Sequence, residues 1–137
     1  MKKILIISTT GMGDTLWGTP AIRAVKKKFP QVSIDLLIQP QWISLFKKNK
    51  NIRNSIPYHS KWYRQILLLP NLLKSKYDHV LIFHANKDIR RILPWLRTSS
   101  VWSHQNIDIL PGLSKNQIVS IDKPVHGILR RIAMVEK

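Results

Sequence analysis

The first 30 residues place an apolar run, a glycine-containing turn and a helical pattern in succession. Residues 3–8 (KILIIS) are almost continuously apolar and rich in isoleucine, which is typical of a parallel strand buried on both faces. From residue 15 to about residue 28 the apolar side chains recur at helical spacing, and Phe29-Pro30 ends the pattern. The turn between them holds two glycines and Asp14. A strand, a turn and a helix in this order predict the first unit of an α/β domain.

The same alternation continues along the chain. Further strands are predicted at 32–38, 52–57 and 79–84, with a weaker one at 99–103. Helical patterns occupy 40–48, 60–76, 88–96 and 126–137, while 104–124 is irregular, and Pro70 is expected to kink or split the second of these helices. Right-handed crossovers then predict a Rossmann-like parallel sheet flanked by helices, with strand order 3-2-1-4-5.

Length and composition fit one globular domain spanning residues 1–137, with 44% apolar residues. The absence of cysteine excludes disulfides, thiolate metal sites and cysteine nucleophiles. Neither a signal peptide nor an apolar run long enough to span a bilayer is present, so we expect a soluble chain.

The net charge is unusual, because 23 Lys and Arg stand against 7 Asp and Glu, for a formal charge of +16. Such a balance favours an anionic partner, which includes nucleic acid, anionic lipid headgroups and phosphorylated substrates. The basic residues form short clusters along the chain and no single tail. Charge alone does not choose among these partners.

The glycine turn departs from two well-known nucleotide-binding motifs. In G-x-G-x-x-G, Gly11 and Gly13 would fit the first two positions, but the third is Leu16. The acid that would bind a ribose should end the second strand, whereas Asp35 lies in the middle of that strand. A P-loop needs Gly-Lys-Ser or Gly-Lys-Thr, and this turn carries Asp14 where the lysine would be. Both motifs are therefore disfavoured.

Asp14 itself has two interpretations at this stage. It lies at the entrance of a helix, where a carboxylate can cap unpaired backbone N–H groups. It also follows the first strand at the carboxyl edge of the predicted sheet, where α/β domains place their ligands. The residues alone leave both an N-cap and a general base open.

The sequence resembles the family 9 glycosyltransferases, which include the heptosyltransferases of lipopolysaccharide core assembly. The first 30 residues are the most specific part of a likeness that spans nearly the whole chain. It is carried by residues 4–7 (ILII), Gly13-Asp14, 19–24 (TPAIRA), 27–30 (KKFP), 34–37 (IDLL), 77–82 (YDHVLI) and 126–129 (HGIL).

The resemblance implies the N-terminal half of a GT-B fold, in which two Rossmann-like domains face each other across a cleft. The family transfers a sugar with inversion and without a metal ion, and this sequence has no Asp-x-Asp motif. Asp14 matches the catalytic base, which takes the proton of the acceptor hydroxyl. The remaining candidates for acceptor binding are Thr10, Gly11, Gly13 and Thr15 in the turn, Lys61 and Arg64 after the third strand, and His84 and Asn86 after the fourth.

The resemblance also implies partners and a location. The expected acceptor is a lipopolysaccharide core or a similar anionic glycolipid, reached from the inner face of the cytoplasmic membrane by a cytoplasmic, peripheral protein. No nucleic acid, metal or resident cofactor is expected, and the histidines at 59, 79, 104 and 126 are interpreted as structural. An ADP-heptose-like donor is expected only with a second, C-terminal domain that this chain does not contain.

Family members are about twice this length. We therefore expect an N-terminal fragment, a truncated reading frame or half of a split enzyme, inactive on its own. The alternative from another class is a basic module that binds nucleic acid or an anionic surface. A free-standing nucleotide-binding Rossmann protein is a third possibility, weakened by the incomplete glycine motif.

Overall fold

The structure, a computed structural model, describes residues 2–103 and contains five strands with helices between them. The predicted irregular stretch at 104–124 and the predicted helix at 126–137, with His104 and His126, lie outside the described residues. Two turns of 3-10 helix, Lys87–Arg91 and Leu93–Trp95, precede the last strand, and another, Pro40–Trp42, precedes α3. The elements are β1 (Lys3–Ser8), α1 (Met12–Trp17), α2 (Thr19–Lys28), β2 (Ser33–Ile38), α3 (Ile43–Phe46), β3 (Asn54–Pro57), α4 (Trp62–Lys74), β4 (Lys76–His84) and β5 (Arg97–Ser103).

The strands form one parallel sheet in the order β3-β2-β1-β4-β5, which confirms the predicted Rossmann-like topology. β1 lies at the centre and pairs with β2 from Lys3↔Ser33 to Ser8↔Ile38. Its pairing with β4 shifts register at its end, where Ile7 faces Ile82 but Ser8 faces His84. Because all five strands are parallel, their carboxyl ends meet at one edge of the sheet.

The two faces of the sheet bury separate apolar clusters, as expected for strands covered on both sides. On one face, Ile4 and Ile6 of β1 pack with Ile22 and Val25 of α2. On the other face, Leu5 and Ile7 pack with α4. A fully buried Leu or Ile contributes about 1.5–3 kcal/mol, so the alternation along β1 ties both helical layers to the same strand.

The first helical segment differs from the prediction of one helix at 15–28. Helix α1 begins earlier, at Met12, and the chain passes through Gly18 before α2 begins at Thr19. Pro20 has no N–H and cannot continue the hydrogen-bond ladder of α1. The N–H of Gly18 donates to the Thr15 carbonyl, three residues earlier, at 3.2 Å. The α-helical ladder is therefore interrupted two residues before the proline.

Two other predictions are corrected. The segment 88–96 was predicted as a helix but consists of the two 3-10 turns. In these turns the Ile89 N–H donates to the Asn86 carbonyl, and the Ile92 N–H donates to the Ile89 carbonyl. Pro94 lacks an N–H, which prevents a continuous α-helix there. Pro70, in contrast, does not split α4, because the helix runs without interruption to Lys74 and the proline lies on its exposed side.

Candidate functional site

A cleft of about 530 Å³ opens at the carboxyl edge of the sheet. Its walls come from the segments that follow the first four strands, together with one side chain of α4. This edge is where parallel α/β sheets place their ligands. The lining residues are Thr9 after β1, residues 39–41 after β2, residues 58–60 after β3, Asn86 and Asp88 after β4, and Arg64 of α4.

Asp14 is the third residue of α1 and presents a partly exposed carboxylate, with 29% of the side chain accessible. The Thr10 hydroxyl donates a 3.0 Å hydrogen bond to its Oδ2 atom. The N-cap position of the helix is occupied by Gly11, which has an extended conformation and no side-chain cap. Asp14 is therefore not the N-cap residue.

His84 lies beside this carboxylate at the end of β4. Its Nδ1 atom is 4.0 Å from Asp14 Oδ2, which is an ion-pair distance for a protonated imidazole but too long for a hydrogen bond. Nδ1 is buried and has no hydrogen-bond partner among residues 2–103, although 40% of the side chain is exposed. The Thr9 N–H donates to the His84 carbonyl at 2.9 Å and holds the ends of β1 and β4 together.

The other turn residues predicted to bind an acceptor have different surroundings. Thr15 is only 2% exposed, and its hydroxyl donates to the Gly11 carbonyl at 3.0 Å, so this hydroxyl stabilises the turn from inside. Gly11 and Gly13 do not adopt the left-handed backbone conformation that favours glycine. A Cβ atom at either position would meet nothing within 4 Å, so both border open space.

The basic and amide candidates are divided between the cleft and the outer surface. Arg64 and Asn86 line the cleft. Lys61 is the N-cap residue of α4, and its Nζ atom lies 5.9 Å from the centre of the Tyr63 ring. The structure thus brings Thr10, Asp14 and His84 together outside the residues that line the cleft, while Arg64 and Asn86 line it. Thr9, which lines the cleft, directly precedes Thr10 in the chain.

Sequence reasoning missed a hydrogen-bonded network in the cleft wall. The Tyr58 hydroxyl donates to Asp88 Oδ2 at 2.7 Å and accepts from Gln65 Nε2 at 2.9 Å. Burial, followed by the bond to Asp88 and its negative charge, raises the pKa of Tyr58 well above its ordinary value. The phenol therefore keeps its proton at a pH where a free tyrosine side chain ionises.

The signal that could have found these residues is their position directly after a predicted strand. Tyr58 follows β3, Asp88 follows β4, and Gln39 follows β2, where its Nε2 atom donates to the Thr9 carbonyl at 2.8 Å. His59, interpreted from sequence as structural, also lines the cleft. His79 has a structural position, with Nδ1 2.6 Å from the Ser100 hydroxyl oxygen of the neighbouring strand.

Asp35 is unsuited to bind a ribose, because it is 4% exposed in the middle of β2. Its carboxylate accepts 3.0 Å hydrogen bonds from Asn54 and from Tyr77, and burial with the charge of Asp35 raises the pKa of Tyr77. Among residues 2–103, no group of three or more His, Cys, Asp or Glu side chains is arranged to hold a metal ion. Within the same range, no helix has the length and apolar character to cross a membrane.

The sheet order, the two helical layers and the cleft at the carboxyl edge define a Rossmann-like α/β domain. No protein-family model matches the sequence, and no curated protein matches it. Several solved structures, however, are similar to this chain. The chain is similar to E. coli heptosyltransferase WaaC, solved with ADP, at 17% identity and a TM-score of 0.79, over 97% of this chain and 45% of that one.

Two further structures give the same result. The family 9 glycosyl transferase of Veillonella parvula aligns at 20% identity with a TM-score of 0.81, over 98% of this chain and 41% of that protein. E. coli ADP-heptose LPS heptosyltransferase II aligns at 20% identity with a TM-score of 0.76, over 98% and 40%. The resemblance found in the sequence is confirmed at the level of the fold, which matches the N-terminal portion of these GT-B proteins. The chain spans less than half the length of each.

Proposed function

We propose that the chain is the acceptor-side domain of an inverting, metal-independent glycosyltransferase. In this role it directs a heptose or a related sugar from a nucleotide sugar to a lipopolysaccharide core or a similar anionic glycolipid. The observation that carries the proposal is the carboxylate of Asp14, held by Thr10 beside His84 at the carboxyl end of the central strand. The fold shared with the heptosyltransferases supports the same conclusion.

Asp14 has the chemistry that this reaction needs. The acceptor hydroxyl oxygen attacks the anomeric carbon, its proton passes to the carboxylate, and the bond from that carbon to the nucleotide diphosphate breaks. The Thr10 hydrogen bond to Oδ2 restricts the orientation of the carboxylate.

The cleft supplies groups for an anionic acceptor. The guanidinium of Arg64 suits paired contacts with a carboxylate or phosphate, and Asn86 adds an amide to the lining of the same cleft. Gly11 and Gly13 border open space in which a sugar could approach the backbone closely. Lys61, just before α4, adds positive charge next in sequence to Ser60, which lines the cleft. Under this proposal the protein works from the cytoplasm at the inner membrane surface.

We infer that the nucleotide-sugar donor binds to a second domain, because this chain aligns with only 40% to 45% of the length of each transferase. We therefore expect no transfer by the chain alone, and transfer when it is fused to the C-terminal domain of a family 9 enzyme. Calorimetry with ADP or ADP-heptose is the direct test on the chain as it stands. Micromolar binding of either nucleotide by the chain alone would contradict the assignment to the acceptor side.

A further inference from the structure

Helix α4 is apolar on two opposite sides. Its inner side contributes Leu68 and Leu72, which are 5% and 0% exposed. A surface helix of a globular protein usually carries charged and polar residues on the other side. Here that side is the α4 apolar face, whose exposed members are Trp62 (62%), Tyr63 (49%), Ile66 (52%), Leu67 (75%) and Leu73 (38%).

This face has the composition of a segment that lies in a membrane interface. Trp and Tyr prefer the headgroup level of a bilayer, and the two aromatic rings here pack edge to face with their centres 6.0 Å apart. The aliphatic side chains of Ile66 and Leu73 follow about one and three helical turns after Trp62. At 3.6 residues per turn, positions 62, 66 and 73 lie on one side of the helix, with 63 and 67 adjacent.

The charges around the face fit an anionic lipid surface. The helix itself contains no acidic residue. Lys61 precedes it, Arg64 lies in its first turn and Lys74 ends it, and long basic side chains of this kind reach lipid headgroups from an interfacial helix. A second copy of the chain is a poorer occupant, because each copy carries a formal charge of +16 and the same cations would meet.

We propose that the α4 apolar face docks the protein on an anionic bilayer, with the helix lying in the plane of the interface. The choice of a membrane as partner rests on the proposed function, which needs a glycolipid acceptor. Arg64 belongs to the same helix and lines the cleft, so docking brings the cleft mouth to the lipid surface. A glycolipid headgroup could then enter the cleft while its acyl chains stay in the bilayer.

The test is co-sedimentation of the whole chain with vesicles of phosphatidylcholine, with and without phosphatidylglycerol. We expect binding to the anionic vesicles that is weakened about tenfold or more by Leu67→Ser, since removing one buried leucine from the interface has an effect of that size. The matched control is Leu45→Ser. Leu45 is 49% exposed on α3, which packs against the opposite face of the sheet, and this variant should bind as the parent does.

Several results would overturn the proposal. One is that the chain does not bind vesicles, and another is that Leu67→Ser and Leu45→Ser lose vesicle binding equally. A third is that the chain forms a dimer, which Leu67→Ser dissociates without any change in vesicle binding. Thermal melting checks that both variants fold, and a blue shift of tryptophan fluorescence that decreases in Trp62→Phe gives a second readout. Asp14→Asn should bind vesicles normally, so a failure of docking and a failure of the proposed chemistry remain distinguishable.

Discussion

Tyr58 joins three segments of the cleft wall through one phenol oxygen. Its hydroxyl contacts Asp88 after β4 and Gln65 in α4, and it lies in a side chain that is 3% exposed. Tyr58→Phe would leave both partners without this bond inside the protein. We expect a loss of about 1–3 kcal/mol in the free energy of unfolding, measured with urea. Tyr63→Phe, at an exposed position, is the control, and an equal loss there would contradict the role of the network.

The raised pKa of Tyr58 gives the same variant a second readout. The unfolded chain ionises this tyrosine near its ordinary pKa of 10.0, whereas the folded phenol keeps its proton. The stabilisation is therefore complete below pH 10 and is lost as the pH rises further, because unfolding then releases a proton. Above pH 10 the unfolding free energy of the parent should fall more steeply than that of Tyr58→Phe. Parallel pH profiles would contradict the raised pKa.

Among the secondary-structure elements, the close contact between the first two helices and β4 requires a glycine at position 18. A Cβ atom at Gly18 would lie 2.8 Å from Cδ2 of the Phe83 ring, which is 1% exposed and has little room to move. Gly18→Ala should therefore destabilise the fold by about 1–3 kcal/mol. Gly13→Ala, within α1 and facing open space, should stabilise it by about 0.5–1 kcal/mol. Melting temperatures that shift in the same direction would refute this packing.

The strands were predictable because a strand buried on both faces consists mainly of apolar residues. β1, β2 and β4 are buried on both faces and are continuously apolar over most of their length, so their positions and the order of the sheet followed from the sequence. Helix type was less predictable. Pro20 and Pro94 remove backbone donors at positions where the apolar spacing still suggests a continuous helix, and only the local hydrogen bonds decide the outcome.

Across the whole molecule, the site combines contacts between residues close in sequence with contacts between residues far apart in sequence. Thr10 and Asp14 lie four residues apart, so the turn that holds the carboxylate also holds its hydrogen-bond partner. Tyr58 and Asp88 meet only because β3 and β4 end at the same edge of the sheet. Contacts of this kind depend on the course of the loops after the strands, and no single sequence motif contains both partners.

The net positive charge can be related to the cleft and to helix α4 together. The cleft opens at one edge of the sheet, and α4 contributes Arg64 to it while presenting its apolar face outwards. An anionic glycolipid in a membrane would use both surfaces of this helix. Nucleic-acid binding draws its support from the net charge alone. The two alternatives therefore differ in whether the apolar side chains of α4 matter.

If Asp14 is the catalytic base, Asp14→Asn should slow sugar transfer in a protein that joins this chain to a nucleotide-sugar domain. Asparagine keeps the size of the side chain but cannot accept the acceptor proton. Asp78→Asn is the matched control, because Asp78 lies at the opposite edge of the sheet, where it accepts a 2.7 Å hydrogen bond from the Lys3 N–H. We predict a loss of about 10²–10⁴-fold in the transfer rate of Asp14→Asn at a nearly unchanged melting temperature, and little loss of rate in Asp78→Asn. A transfer rate of Asp14→Asn within a few-fold of the parent would rule out Asp14 as the base.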